Sequence, residues 1–109
     1  MDYITINEFS KIKLVVGKVI DVKDHSNSDR LYILKVDLGN EVRQIVSGIK
    51  QWYKKEELLN KKIIIVYNLQ PKNFRGVESQ GMLLAAEDGD GNLSLLTVDK
   101  DIKDGSYVH

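Results

Sequence analysis

Apolar positions along the chain gather in short, β-branched runs separated by polar clusters, the pattern of an all-β protein. Leu14 to Val22 reads as a long first strand interrupted at Gly17. A glycine inside a strand marks a bulge or a tight bend at a barrel corner, and such a bend lets one strand serve two sheets. Lys23 to Arg30 is a polar turn rich in Asp, Ser and Asn, residues that bond their own backbone. Leu31–Leu38 and Val42–Val46 are the second and third strands, joined through Gly39-Asn40, a strong hairpin signal. Lys35 and Asp37 share one face of the second strand; Arg43, Ile45 and Ser47 share one face of the third. Lys62–Tyr67 is so nearly apolar that both of its faces are expected to be covered, a fifth strand begins near Met82, and Leu93–Val98 is one more.

One stretch has helical character. Gln51 to Asn60 contains good helix formers, with Trp52 or Tyr53 and Leu58 or Leu59 as its buried stripe and Asn60 as its stop. Ahead of the first strand, Thr5 or Asn7 is placed to cap a short helical turn running into Phe9 and Ile12, expected to close one end of the core. Asp99–His109 is a polar tail anchored by Ile102 and Val108. Three strands, a helix, two strands and an extension is the order of the OB-fold, a five-stranded Greek-key barrel with a helix between strands three and four. The expectation is a single domain over residues 1–109, with residues 87–109 a C-terminal β extension. In this architecture the face of strands two and three binds oligonucleotides together with the first-to-second and fourth-to-fifth strand loops. Those loops are residues 23–30 and 68–81, which fall at the same rim.

Composition narrows the chemistry. The chain has 109 residues and no cysteine, so there is no disulfide framework and no thiol chemistry. The N-terminus lacks the basic and apolar regions of a signal peptide, and no apolar stretch approaches membrane-spanning length, so a soluble, cytoplasmic protein without membrane contact is expected. Net charge is zero, but residues 43–76 carry eight Lys or Arg against Glu56 and Glu57, whereas residues 77–109 carry Lys100 and Lys103 against seven acids. Nucleic acid responds to the local patch rather than the total. The acidic turn Glu87–Asn92 lacks the spacing and terminal glutamate of a helix-loop-helix calcium site, so no metal is expected there. No phosphate-loop, zinc or paired-carboxylate signature appears; neither catalysis nor a cofactor is expected.

The fourth-to-fifth loop holds the only proline, two glycines and two cations. Lys72 and Arg75 are the leading candidates for phosphate contact, Arg as a planar fork and Lys as a point charge. Arg43 and Lys35 either extend this basic track or, for Arg43, pair with Asp37 or Asp29. Asn68, Ser79 and Gln80 have the groups to bond sugar, phosphate or a base edge, and Asn68 is equally placed to tie down backbone. Met82 suits packing against a base or ribose as well as the core, and Phe74 suits a stacking platform. Gly76 and Gly81 allow sharp or close-packed backbone. His25 and Asp29 flank the first loop and are expected to brace it, since no nucleophile accompanies them.

Three segments, His25-Ser26-Asn27-Ser28-Asp29-Arg30-Leu31-Tyr32, Arg43-Gln44-Ile45-Val46-Ser47-Gly48 and Asn68-Leu69-Gln70-Pro71 through Arg75-Gly76-Val77-Glu78-Ser79-Gln80-Gly81-Met82, together resemble the structure-independent tRNA-binding domain family. The resemblance runs from Phe9 to the end. It implies a non-catalytic OB-fold that binds the outer body of tRNA without selecting its anticodon. It also implies a homodimer, built with help from the C-terminal extension, which gives Leu93, Leu95, Leu96 and Val98 a role besides core filling. Members are appended to methionyl-tRNA synthetases or stand alone, like the separate methionyl-tRNA synthetase beta-subunit-like protein, whose length this chain is similar to; a related branch is assigned to secretion chaperones, which makes chaperone-like binding of unfolded polypeptide the alternative function. Ser26, Ser28 and Gln70 depart from the family's usual proline, alanine and lysine.

Overall fold

The computed structural model describes residues 1–109. Its elements are α1 (Ile6–Phe9), β1 (Leu14–Asp24), β2 (Tyr32–Asp37), β3 (Val42–Ser47), α2 (Lys55–Leu58), β4 (Lys62–Val66), β5 (Lys72–Phe74), β6 (Val77–Ser79), β7 (Met82–Leu83), β8 (Ala85–Glu87), β9 (Leu93–Leu95) and β10 (Tyr107–Val108). The main sheet runs β3-β2-β1-β4-β7, with β10 on the N-terminal part of β1. This is the expected OB-fold barrel.

β1 is the strand that makes the barrel. Leu14–Lys18 pairs with β4, and Lys18–Asp24 pairs with β2, with a register shift between Val19 and Asp21. The irregularity therefore lies at Ile20, not at Gly17. Gly17 is required for a different reason: a Cβ there would run into the Val36 side chain and come within 2.8 Å of Leu38 Cδ2. β2 alternates buried and half-buried positions, whereas Ile63 to Val66 of β4 are all buried, as the apolar run predicted. The core is built from Val19, Leu34, Val36, Ile45, Leu58, Ile63 and Ile65.

The seam between β3 and β7 has no ladder of its own. It is closed by Gln80, whose N–H donates to Gln44 O at 2.7 Å, and by Ser79, whose Oγ accepts from Val46 N at 2.9 Å.

Two predicted helices differ from expectation. The Gln51–Asn60 helix contracts to Lys55–Leu58. Trp52 and Tyr53 instead sit in a turn whose N–H groups bond Ile49 O, which leaves Leu58 buried and Leu59 exposed. Asn60 does end the helix, in the left-handed region at φ 69°. At the N-terminus Thr5 caps α1 in a reciprocal box with Glu8. None of α1 is buried, however, and Tyr3, Ile4 and Ile6 stand in solvent, so this segment does not close the core. Phe9, Ile12, Leu14, Tyr67, Tyr107 and Val108 line a mainly apolar cleft of about 720 Å³. Leu95 fills the core, as expected of it beside a dimer role, and Leu93 packs against the core. No helix is long and apolar enough to cross a membrane.

Candidate nucleic-acid interface

The connection from β4 to β7 is not an irregular loop but carries a short hairpin. β5 and β6 pair Lys72 with Ser79 and Phe74 with Val77, leaving Arg75-Gly76 as a two-residue turn. Both turn residues have positive φ, 52° and 95°, the signature of the turn that matches strand twist. Gly76 adopts this freely; Arg75 does so at a conformational cost of about 1 kcal/mol. Asn73 Oδ1 accepts from Gly76 N at 2.8 Å and stiffens the tip.

The hairpin leans on the first loop. His25 is only 3% exposed, and its ring joins the two. Nε2 lies 2.7 Å from Phe74 O, and Nδ1 accepts from Asn27 N at 3.0 Å. A carbonyl can only accept, so Nε2 carries the proton and Nδ1 does not. Arg75 Nη1 adds a second link, donating to Asn27 O at 2.9 Å. Lys72 and Arg75 therefore stand on the same side as residues 23–30. Lys72 is exposed, its ammonium 5.1 Å from the centre of the half-buried Phe74 ring. Arg75 is exposed and keeps its remaining donors free of protein partners. The hairpin thus offers two cations and one aromatic face, and the first loop adds the polar tips of Ser26 and Asn27.

The other candidates fall into different places. Ser79 is 2% exposed; its hydroxyl accepts from Val46 N and donates to Gly81 O at 2.8 Å. Gln80 Oε1 accepts from Gln44 N at 3.0 Å. Both amide ends of Asn68 are used on the N-terminal segment, accepting from Lys13 N and donating to Lys11 O. This is the tethering option, though the tethered backbone is residues 11–13. Lys35 donates to Gln44 Oε1 at 2.8 Å. Met82 is half exposed beside Val66. Gly81 lies at φ 140°, where a Cβ would approach Val66 O to 2.8 Å.

Two expectations are corrected. Arg43 pairs with neither Asp37 nor Asp29 but with Glu41, Nε to Oε1 at 2.9 Å, because Glu41 projects from the β2–β3 turn alongside it. The Tyr67 hydroxyl, followed by Arg43, holds the Glu41 carboxyl below its usual range, and Glu41 in turn pushes the Tyr67 phenol up. Asp29 does not brace the first loop: it is exposed and its carboxylate has no hydrogen bond, while Ser28 Oγ takes that role by accepting from Arg30 N.

Sequence reasoning missed Gln44. Its backbone and amide meet Gln80, Lys35 and Glu78 O, which makes it the joint between β3 and the hairpin. A glutamine next to Ile45-Val46 in a strand was the available signal. It missed Asn27 as well, since only a backbone carbonyl is used.

The comparisons with known proteins follow the same lines. Residues 14–107 match the family model described as a putative tRNA binding domain. The methionine–tRNA ligase of Pyrococcus horikoshii is 61% identical over 108 residues, 99% of this chain and 15% of that protein. That of Methanocaldococcus jannaschii is 56% identical over 99% of this chain and 17% of its own length. The chain thus spans less than a fifth of the length of these curated relatives. Among solved structures, a MetRS-related protein from Pyrococcus horikoshii superposes with TM-score 0.94 at 43% identity, covering all of both chains. A CsaA chaperone protein from Picrophilus torridus superposes with TM-score 0.89 at 37% identity, over 98% of this chain and all of that one. The chain belongs to the tRNA-binding domain family, related to the tRNA-binding domain of methionyl-tRNA synthetase.

Proposed function

We propose that this protein is a non-catalytic tRNA-binding module that serves a methionyl-tRNA synthetase in the cytoplasm, in cis or in trans. The observation that carries the reading is the junction of the two rim loops through His25 and Arg75, which holds Lys72 and Arg75 together at the barrel mouth. Lys72 and Arg75 take phosphate oxygens, and Phe74 offers a partly open ring to a base or ribose. Lys35, Gln80, Ser79, Gly76 and Gly81 shape the rim, Met82 flanks it, and Asn68 ties the start of the connection to residues 11–13. Replacing Lys72 and Arg75 together by Ala is expected to abolish a gel shift with mixed tRNA while the circular dichroism spectrum is kept. An unchanged shift would remove the hairpin from the mechanism.

Self-association belongs to the same reading. Two modules joined as a homodimer bind one bent RNA more tightly than either alone, through effective concentration. The exposed Tyr3, Ile4 and Ile6 of the N-terminal segment and Tyr107 of the C-terminal extension, around the apolar cleft, support a dimer face there. Light scattering on an Ile6→Ser, Tyr107→Ser variant tests it: a monomer is expected, and an unchanged dimer assigns the contact elsewhere.

A second reading, binding of unfolded polypeptide, is favoured by the same apolar cleft and by the likeness to a CsaA chaperone protein. The two readings separate by salt. Phosphate contact weakens steeply as ionic strength rises, whereas apolar capture of a peptide does not.

A further inference from the structure

Arg43 stood as a candidate for direct RNA contact, but its surroundings describe another role. Its Nη1 donates to Tyr67 O at 2.6 Å and to Gln80 O at 3.2 Å. Those carbonyls lie at the two ends of the connection that carries the β5–β6 hairpin. The guanidinium carbon also lies over the Tyr67 ring, 3.7 Å from its centre, and Nε is held by Glu41. Glu41 closes the circuit, since its other oxygen accepts from the Tyr67 hydroxyl at 2.6 Å. The side chain is 21% exposed, which leaves little of the cation for a phosphate.

We infer that Arg43 is a positioning residue: it pins both feet of the β5–β6 hairpin and so sets where Lys72 and Arg75 meet RNA. The inference rests on the tRNA-binding reading above. A planar fork is needed for it, because the same group must face two carbonyls and a carboxylate while stacking on a ring. A lysine ammonium carries the charge without the plane.

Direct contact and positioning predict different results in a double-mutant cycle on tRNA affinity. The variants are Arg43→Lys, Arg43→Gln, the Lys72→Ala/Arg75→Ala pair, and each Arg43 change combined with that pair. If Arg43 positions the hairpin, Lys and Gln at position 43 weaken binding alike, by about tenfold or more. In the pair background, titrated at low ionic strength where residual binding stays measurable, the same changes then add almost nothing, because residues acting through one element are not additive. If Arg43 touches phosphate itself, Lys retains most of the affinity and the losses add. Arg43→Gln then also flattens the salt dependence by one further contact, a slope change of about 0.7–0.9, while Arg43→Lys keeps the slope. That result overturns the inference.

Amide hydrogen exchange supplies a readout free of RNA. Residues 72–79 are expected to exchange faster in Arg43→Gln while β1, β2 and β4 keep their protection; faster exchange throughout marks a merely structural role and overturns it. Should Arg43→Gln fail to fold, Tyr67→Phe removes only the hydroxyl link to Glu41. It is expected to lose less affinity with the same non-additivity, and additive loss again overturns the inference. A rim pair variant that binds tRNA like the parent refutes the tRNA reading itself and takes this inference with it.

Discussion

Replacing His25 by Ala is the sharpest way to ask whether the two rim loops form one unit. The ring is buried and makes two hydrogen bonds, one from Nε2 to Phe74 O and one received at Nδ1 from Asn27 N. Each is worth about 1 kcal/mol net, and a backbone partner left buried without one costs about 1–3 kcal/mol more. Both partners lie in surface loops that water reaches once the ring is gone, so the lower end applies. The expected loss is about 2–3 kcal/mol, or roughly 10–15 °C in Tm for a domain of this size. Urea denaturation followed by circular dichroism gives the stability, and fluorescence anisotropy with labelled tRNA gives the affinity. Gln can supply a donor near Nε2 and Asn an acceptor near Nδ1. Each of those variants should therefore lose about half as much stability as Ala. Affinity is expected to fall in the same order, since the hairpin bearing Lys72 and Arg75 loses its rest on residues 25–27. A loss below about 0.5 kcal/mol for His25→Ala, with tRNA affinity unchanged, would refute the bracing role.

Two further outcomes follow from particular contacts. Gly17→Ala is expected to destabilise by about 1–3 kcal/mol in urea unfolding, because its methyl would overpack Val36 and Leu38 in the closed barrel. Hydrogen bonds from Lys55 and then Lys50 lower the Asp24 carboxyl, so its contribution is present at neutral pH and is lost as pH falls through the depressed folded value. Asp24→Asn should therefore be less stable than the parent near pH 7 and equal to it in strong acid; a constant difference across that range would contradict the linkage.

The strand plan was legible because β-branched runs and the Gly39-Asn40 turn act locally. The rim was legible because fold order alone brings residues 23–30 and 68–81 to one end. What the sequence hid depends on distant partners. Helical propensity over Gln51–Asn60 yields to the turn around Ile49, which places Trp52 Nε1 on Gly91 O and Tyr53 O on the Tyr32 hydroxyl. Ser79 and Gln80 look like nucleic-acid contacts in one dimension. In three they supply the hydrogen bonds that a missing β3–β7 ladder leaves open, a demand set by residues more than thirty positions away. Apolar Ile4 and Ile6 imply a buried segment, yet in one copy of the barrel both stand exposed.

The most direct test is a tRNA titration of isotope-labelled protein followed by backbone amide shifts. The account predicts changes concentrated at residues 25–30 and 72–79, reversed by added salt. Changes confined to Ile6–Leu14 and Tyr107–His109, unaffected by salt, would contradict it and put the ligand in the apolar cleft.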